Sequence, residues 1–359
     1  MVSDKNHGTV LNECVPEPEL PGYPMRYHPR IVALRLQVDT LPVDPSYRCW
    51  LLRSIKRYAD QIVERPVDAG WDDLEALQQV TLGDIMEANM ERLPLRFEVM
   101  DSPLVVHIPH SSTWIPDEDR QSFLLADAEL EREQILMIDH QTDLLFTTPA
   151  KQHTTVVFPV SRLLVDPERF LDDAAEPMSV QGMGVLYTHT AAGNLMRKPP
   201  TTIERARLVD TWYRPHHQRL TLTLDKLFQQ HPTLLLVDGH SFPSQPLTCD
   251  LDQTTERPDI CLGTNPFHTP PWLIDAARDF FCQAGYRVEV DRPYSGALVP
   301  MAHYLKTRNL LALMIEVNRR LYCDESTGRT HEGFETTRRV VTECLDYLAR
   351  ALTRVTTGR

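Results

Sequence analysis

Histidines and carboxylates collect at the ends of three apolar runs, where their side chains could act together. PLVVHIPH ends in His110, TLLLVDGH ends in Asp238 and His240, and LLALMIEV contains Glu316. Two imidazoles and one carboxylate suit a catalytic zinc ion that keeps a fourth position open for water. The pattern therefore predicts a zinc centre that activates water.

The carboxylate ligand of this centre has two candidates in the segment MIDHQTDLL. Asp139 and Asp143 are four residues apart, so on a helix they would share one face. The residues alone leave the choice between the two open.

Glu316 lies inside an apolar run, where an unpaired ionised carboxylate would be strongly destabilising. One interpretation is a buried ion pair with Arg319 or Arg320. The other is a general base, because apolar surroundings raise the pKa of a carboxyl group and suit it to deprotonate water.

Arginines near the predicted centre indicate an anionic substrate. VSRLLVDPERF places Arg162 and Arg169 on either side of Asp166. Guanidinium groups bind carboxylates through two parallel hydrogen bonds, so these arginines favour a substrate with a free carboxylate. Ordinary ion-pair or surface arginines are the alternative.

Three further histidines can be placed by pattern. His216 and His217 fall in a helical segment, where they are either a surface pair or partners of the metal ligands. His107 precedes His110 by three residues and on a strand would point to the other face, which indicates a structural role.

The elements that must position these residues are short apolar runs that alternate with helical patterns. The helical segments include 203–230, 271–284 and 333–352, and the runs are PLVVHI, TTVVFPV, TLLLVDG, DICLG, YRVEV and LLALMIEV. Continuous Val, Ile and Leu runs are typical of strands buried on both faces, which helices can cover. We predict a three-layer α/β fold with a central mixed, largely parallel sheet. Ligands of such folds bind beyond the carboxyl ends of the strands.

The first hundred residues differ in character from the rest. PEPELPGYP and TLPVDP favour an extended arm, and two helical patterns follow them. We predict an arm with a helical extension over residues 1–98 and a catalytic domain over residues 99–359.

Composition and charge argue against nucleic acids and membranes as binding partners. A net charge of −13 argues against a nucleic-acid-binding protein, which needs clustered Lys and Arg. The start, MVSDKNHGTVLNEC, lacks the features of a signal peptide, and no stretch approaches the length of a membrane span. We therefore expect a cytoplasmic protein with no membrane partner, and the sequence leaves its oligomeric state open.

The motifs resemble, in the same order, those of the N-formylglutamate amidohydrolase family, whose fold is similar to that of zinc carboxypeptidases and aspartoacylases. The matching segments are PHSS, DHQTD, VSRLLVDPERF, YRPHH, DGHSF, DICLG, PYSG and EVNRRLY. Departures from the family pattern make the substrate-facing half less typical than the metal-facing half: Ser112, Pro167, Glu168, Asp291 and Arg292.

The resemblance implies that His110 and His240 hold one zinc ion per chain together with Asp139 or Asp143, and that Glu316 is the catalytic carboxylate. Asp143 is preferred, because the apolar residues after it would anchor a helix, and Asp139 would then support the site from outside. The implied reaction is hydrolysis of the N-formyl or another N-acyl bond of a small amino-acid derivative with a carboxylate, such as N-formylglutamate.

In the expected mechanism, Glu316 takes a proton from water that zinc activates and returns it to the leaving amine. Arg162 is the first candidate to stabilise the oxyanion. The other polar residues near the motifs are expected to bind the substrate: Arg169, Asn318, Arg319 and Tyr294.

Two alternatives come from other classes of protein. One is a non-catalytic family member that binds a partner through its N-terminal extension, although the full set of ligands and Glu316 argue against it. The other is a serine hydrolase built on GHS at 239–241, which lacks the GxSxG elbow of such enzymes.

Overall fold

The computed structural model describes residues 99–147 and 152–357. The arm and helical extension predicted for residues 1–98 lie outside the described residues, so they and the domain boundary stay predictions. None of the helices in the described part combines the length and the apolar character that crossing a bilayer requires.

Six strands form one mixed sheet in the order β2-β1-β3-β6-β4-β5. All neighbouring strands are parallel except β4 and β6, which are antiparallel. Each of the six apolar runs contains one strand, which confirms the predicted sheet. The strands are β1 (Leu104–Ile108), β2 (Thr154–Val157), β3 (Leu234–Phe242), β4 (Ile260–Gly263), β5 (Val288–Val290) and β6 (Leu310–Asn318), and a separate hairpin contains β7 (Cys323–Asp324) and β8 (Arg329–Thr330).

Helices cover both faces of the sheet, and the three predicted helical segments are confirmed. The first of them is interrupted by a π-helical turn, Val209–Tyr213. The α-helices are α1 (Asp117–Arg120), α2 (Asp127–Met137), α3 (Thr142–Leu145), α4 (Thr202–Leu208), α5 (Arg214–Phe228), α6 (Pro271–Gln283) and α7 (Phe334–Thr357). Short 3₁₀ helices span Pro177–Gln181 and Arg319–Leu321.

Two cores lie on opposite faces of the sheet, because successive strand residues point to opposite sides. On β3, Leu235 and Val237 belong to a core that includes buried residues of α6 and α7. Leu234 and Leu236 belong to the other core, which includes buried residues of α5. Both faces are therefore dry, which explains why the strand runs are continuously apolar.

Candidate metal centre

The sheet face that packs on α5 changes from apolar to polar toward the carboxyl ends of β3 and β6. Leu236 is followed at intervals of two by Asp238 and His240, so the three side chains share this face. Glu316 of β6 is the register partner of His240, and paired residues of neighbouring strands point to the same side. An imidazole and a carboxylate thus lie side by side at the predicted edge.

Asp139 is brought to the histidines by the connection between α2 and α3. Its backbone N–H donates to the carbonyl oxygen of His110 over 3.0 Å. Phe146, in the chain that follows, packs closely on the other face of β3, since a Cβ at Gly239 would lie 3.0 Å from it. The absence of a side chain at Gly239 therefore makes room for the residues after α3.

Three donor atoms, one each from His110, His240 and Asp139, lie around a common space. The two Nδ1 atoms are 3.3 Å apart, and Asp139 Oδ2 lies 3.0 Å from His240 Nδ1 and 3.6 Å from His110 Nδ1. Tetrahedral bonds of about 2.0–2.1 Å place ligand atoms roughly 3.3 Å from one another. All three side chains are buried, so their spacing and chemistry fit a metal ion.

With both imidazoles neutral, as metal binding requires, the centre carries surplus negative charge. Burial would lower the pKa of His240, but the charges of Glu168 and Asp238 raise it well above its usual value. A divalent cation would neutralise the surplus. Apart from Glu316, the centre contains four carboxylates and three guanidinium groups. The carboxylates are those of Asp139, Asp166, Glu168 and Asp238, and the guanidinium groups are those of Arg162, Arg169 and Arg319.

Asp166 supports His110 from the side opposite to the common space. Its Oδ1 lies 2.9 Å from His110 Nε2, and a proton shared there leaves Nδ1 free as the ligand atom. The other oxygen, Oδ2, accepts hydrogen bonds from Arg162 at 2.9 Å and from the Tyr187 hydroxyl at 2.7 Å. Burial alone would raise the pKa of Asp166, yet the charges of His110 and the nearby arginines hold it well below its usual value.

A longer chain of buried groups supports His240. Its Nε2 lies 3.3 Å from Asp238 Oδ1 and 3.3 Å from Glu168 Oε2. Asp238 Oδ1 also lies 2.8 Å from His107 Nδ1, and His107 Nε2 lies 2.8 Å from His216 Nε2. Contacts of this kind fix the orientation and the proton position of a ligand imidazole.

His107 therefore belongs to the site, contrary to the expectation that it would face away. The reason is that β1 ends at Ile108, so strand alternation no longer relates His107 to His110. Of the two interpretations of the histidine pair on α5, His216 is a buried partner of the metal-site residues, whereas His217 bonds to a backbone carbonyl.

Glu316 is buried beside His240, and its Oε2 has no hydrogen-bond partner among the described residues. Burial raises its pKa to about 8, because the effect of burial is larger than the opposing effects of the His240 and Arg319 charges. The proposed ion pair is not formed in the described part of the chain, because Arg319 pairs with Asp139 and Arg320 with another aspartate. This environment suits a proton acceptor.

Arg319 and Asn318 hydrogen-bond to other residues of the protein. Arg319 donates to Asp139 Oδ1 at 3.0 Å and to the carbonyl of Leu136, in the last turn of α2, at 2.7 Å. Asn318 accepts from the backbone N–H of Arg320 at 3.2 Å and donates to a carbonyl in the loop before β4 at 2.8 Å. Both side chains are buried, and these contacts support Asp139 and the chain after β6. Their expected binding of a substrate stays a prediction.

The other residues expected near the substrate differ in how many of their polar atoms are hydrogen-bonded within the protein. Arg162 donates to Asp166 through Nε and Nη2, and its expected role at the oxyanion stays a prediction. Arg169 lies 3.7 Å from Asp166 and is 22% exposed; its Nε has no hydrogen-bond partner in residues 99–147 and 152–357. Tyr294 donates to Asp250 at 3.1 Å.

Asp143 is not among the residues around the common space. The neighbouring Leu145 and Phe146 belong to the core on the opposite face of the sheet. Gln141 has a left-handed φ of 61° and separates α2 from α3, so Asp139 and Asp143 do not share a helical face. Of the two aspartates, Asp139 is therefore the one that the structure places in the candidate group with His110 and His240.

Glu168 was not recognised as a site residue from the sequence, and Asp238 received no role. A signal for Asp238 was present, since a residue two before His240 on a strand must share its face. Glu168 lies in an irregular segment, whose path no local pattern predicts.

Comparisons with known proteins identify the family of this chain. A model of the family "N-formylglutamate amidohydrolase" matches residues 102–323. The chain is 26% identical over 241 residues to an N-formylglutamate deformylase of Pseudomonas putida. The match covers 64% of this chain and 85% of the relative.

Solved structures give the same result. An N-formylglutamate amidohydrolase of Ralstonia eutropha matches with a TM-score of 0.64 and 26% identity, over 72% of this chain and 96% of that one. A gene product of Agrobacterium tumefaciens matches with a TM-score of 0.52 and 18% identity, over 74% of this chain and 98% of that one, which shows the fold alone.

Proposed function

The chain belongs to the N-formylglutamate amidohydrolase family, and we propose that it uses zinc to hydrolyse an N-acyl bond of amino-acid derivatives, first of all the N-formyl bond of compounds such as N-formylglutamate. It is an amidohydrolase by this membership. The observation that carries the proposal is the meeting of three candidate ligand atoms beside the buried carboxylate of Glu316, whose Oε2 accepts no hydrogen bond from residues 99–147 and 152–357.

Zinc is the ion that this donor set suits. The ligand atoms would be Nδ1 of His110, Nδ1 of His240 and Oδ2 of Asp139, and mixed nitrogen and oxygen donors of this number are typical of catalytic zinc. When bound, zinc would polarise the acyl carbonyl and make water more acidic.

Glu316 is the residue that moves protons. Its Oε2 carries no competing hydrogen bond within the described residues, so it can accept the proton of the attacking water. A carboxyl group whose pKa is raised by burial to about 8 also holds a proton long enough to deliver it to the leaving nitrogen.

Arg169 is the residue best placed to bind the carboxylate of the substrate. Arg162 and Arg319 are occupied by Asp166 and Asp139. The side chain of Arg169 is 22% exposed. Its Nη2 donates to the Tyr187 hydroxyl at 3.3 Å, and its Nε lies 3.7 Å from Asp166 with no hydrogen bond in the described ranges. A carboxylate can accept hydrogen bonds from such a group.

The test is formate release from N-formylglutamate together with metal analysis. The purified protein should contain about one zinc per chain, lose activity on treatment with a chelator and regain it with added zinc. Full activity in protein shown to be metal-free would contradict the zinc mechanism. Binding without turnover of any N-acyl amino acid would favour the non-catalytic alternative.

A further inference from the structure

The segment 167–169 lies outside the helices and strands, yet it contains two side chains on which the site depends. Glu168 Oε2 lies 3.3 Å from His240 Nε2, and Arg169 is the proposed anchor of the substrate carboxylate. The partners of the Arg169 side chain are distant. Its Nη2 donates to Tyr187 at 3.3 Å, and its Nε lies 3.7 Å from an aspartate without a hydrogen bond in the described ranges. The position of the guanidinium group therefore depends on the backbone of this segment.

Two side chains of the following helical region hydrogen-bond to that backbone. The Tyr213 hydroxyl donates to the carbonyl oxygen of Arg169 at 3.0 Å, and His217 Nε2 lies 2.7 Å from the carbonyl oxygen of Pro167. Burial lowers the pKa of His217 to about 4, so its ring is neutral at pH 7. Because a carbonyl oxygen can only accept, Nε2 carries the hydrogen. The two bonds hold the backbone immediately before Glu168 and immediately after Arg169.

The rings of Tyr213 and His217 also support each other. The two residues are four apart in sequence and share one face of the helix. Their ring centroids are 4.2 Å apart, and their planes are inclined by 34°, so the rings are in direct contact. Each hydrogen-bond donor is thus held in place by the other ring.

The π-helical turn Val209–Tyr213 aligns a third contact with these two. Arg205 of α4 donates to the carbonyl oxygen of Leu171, a little further along the same irregular chain. In a continuous α-helix, eight residues from Arg205 to Tyr213 would overshoot two full turns by about 80°. The π turn closes on the fifth residue instead of the fourth and so takes up one residue, which leaves the two side chains within roughly 20° of each other. The turn therefore directs both toward the segment that contains Arg169.

We propose that Tyr213 and His217 are positioning residues for the hydrolytic reaction, which hold Arg169 where it can bind the carboxylate of the substrate. The inference depends on the proposed function and adds two residues that act through Arg169. Neither of them belongs to the candidate ligand group. Their loss should therefore weaken substrate binding and leave the zinc content unchanged.

The experiment measures kcat and KM of the zinc-loaded full chain with N-formylglutamate. Tyr213→Phe removes one hydroxyl and keeps the ring, so we expect KM to rise by about three- to ten-fold, the effect of one hydrogen bond. The value of kcat should change by less than about two-fold, since the lost contact acts on binding. Tyr347→Phe, which removes a hydroxyl from a residue of α7 beside the other core, is the matched control and should leave both constants unchanged.

Two outcomes separate this inference from the proposed function. An unchanged KM in Tyr213→Phe, or a fall in kcat as large as the rise in KM, overturns the inference and leaves the proposed function intact. Absence of turnover by the unmodified chain overturns the proposed function, and the inference with it.

A double-mutant cycle tests whether Tyr213 acts through Arg169. Arg169→Ala should raise KM more than Tyr213→Phe does, because it removes the whole anchor. Adding Tyr213→Phe to Arg169→Ala should then raise KM no further, since residues that act as one unit are not additive. Independent, additive effects would show that Tyr213 does not act through Arg169.

The role of His217 is tested by rescue with a conservative variant. His217→Leu removes the donor while keeping a side chain of similar size, and should raise KM by about three-fold or more. His217→Gln supplies an amide N–H near the position of Nε2 and should restore most of the original KM. If the two substitutions raise KM equally, the hydrogen bond to Pro167 does not position the segment.

Discussion

Arg319 Nη2 donates to Asp139 Oδ1 at 3.0 Å, and both side chains are buried. The other oxygen of Asp139 lies between the two imidazoles of the candidate centre. One carboxylate therefore joins a structural ion pair to a ligand set. Because both contacts involve Asp139, the effect of losing the ion pair can be compared in the metal-free and the zinc-loaded protein.

Removing the arginine should destabilise the metal-free protein far more than the zinc-loaded protein. Arg319→Ala removes the partner of Asp139 Oδ1 from a buried site, and the loss of one member of a buried ion pair costs about 3–5 kcal/mol, whereas a bound cation would compensate for much of the loss. Denaturant unfolding of both forms measures the difference.

The neighbouring arginine is the matched control for this prediction. Arg320 is 43% exposed and pairs with Asp259, so Arg320→Ala should lower the free energy of unfolding by about 1 kcal/mol or less. Equal losses for the two variants in both forms would contradict a metal at Asp139.

The two aspartates of the 139–143 segment should differ in metal binding. Asp139→Asn is expected to lose most of its zinc, because a neutral amide is a poor replacement for a carboxylate ligand. Asp143→Asn should keep about one zinc per chain, since Asp143 is not one of the residues grouped around the common space. Elemental analysis after dialysis decides between them, and metal loss in Asp143→Asn alone would restore the first choice of ligand.

The fold could be predicted from the sequence because its strands are continuous apolar runs. Buried parallel strands must be apolar on both faces, so each run marked one strand, and the strand ends of β1, β3 and β6 indicated His110, His240 and Glu316. Alternation along β3 also determines which residues share the face of His240.

The rest of the site depends on contacts that no local pattern contains. The left-handed Gln141 breaks the assumed helix, so that Asp139 joins the candidate group with His110 and His240 and Asp143 does not. The partners of Arg319 and Glu168 come from segments far apart in sequence, as in the contact of Glu168 with His240. The sequence shows which arginines and carboxylates are available, but only the packing of the chain determines which of them form ion pairs.

Replacing the proposed base should separate catalysis from metal binding. Glu316→Gln keeps the size of the side chain but removes proton transfer, so kcat should fall by roughly two to four powers of ten. Zinc content should be unchanged, because Glu316 is not among the grouped ligand residues. Formate release and elemental analysis on the same preparation test both statements. A Glu316→Gln protein with unchanged kcat would exclude the base.

The pH dependence of kcat/KM should contain an acid limb that belongs to Glu316. The base must be ionised to accept a proton, so activity falls as the pH drops below its pKa. Burial is the main reason that this pKa is raised to about 8, and the charge of Glu168 adds to the increase. Bound zinc is positive and would lower the pKa, which places the limb below pH 8.

A single substitution should move that limb in a known direction. Glu168→Gln removes a negative charge that favours the protonated form of Glu316, so the pKa of Glu316 falls and the limb of kcat/KM moves to lower pH. Glu332→Gln, at an exposed position, is the control and should leave the limb where it is. The measurement is kcat/KM against pH for both variants in zinc-loaded form. A limb that moves to higher pH in Glu168→Gln, or stays in place, would show that Glu316 is not the group that titrates.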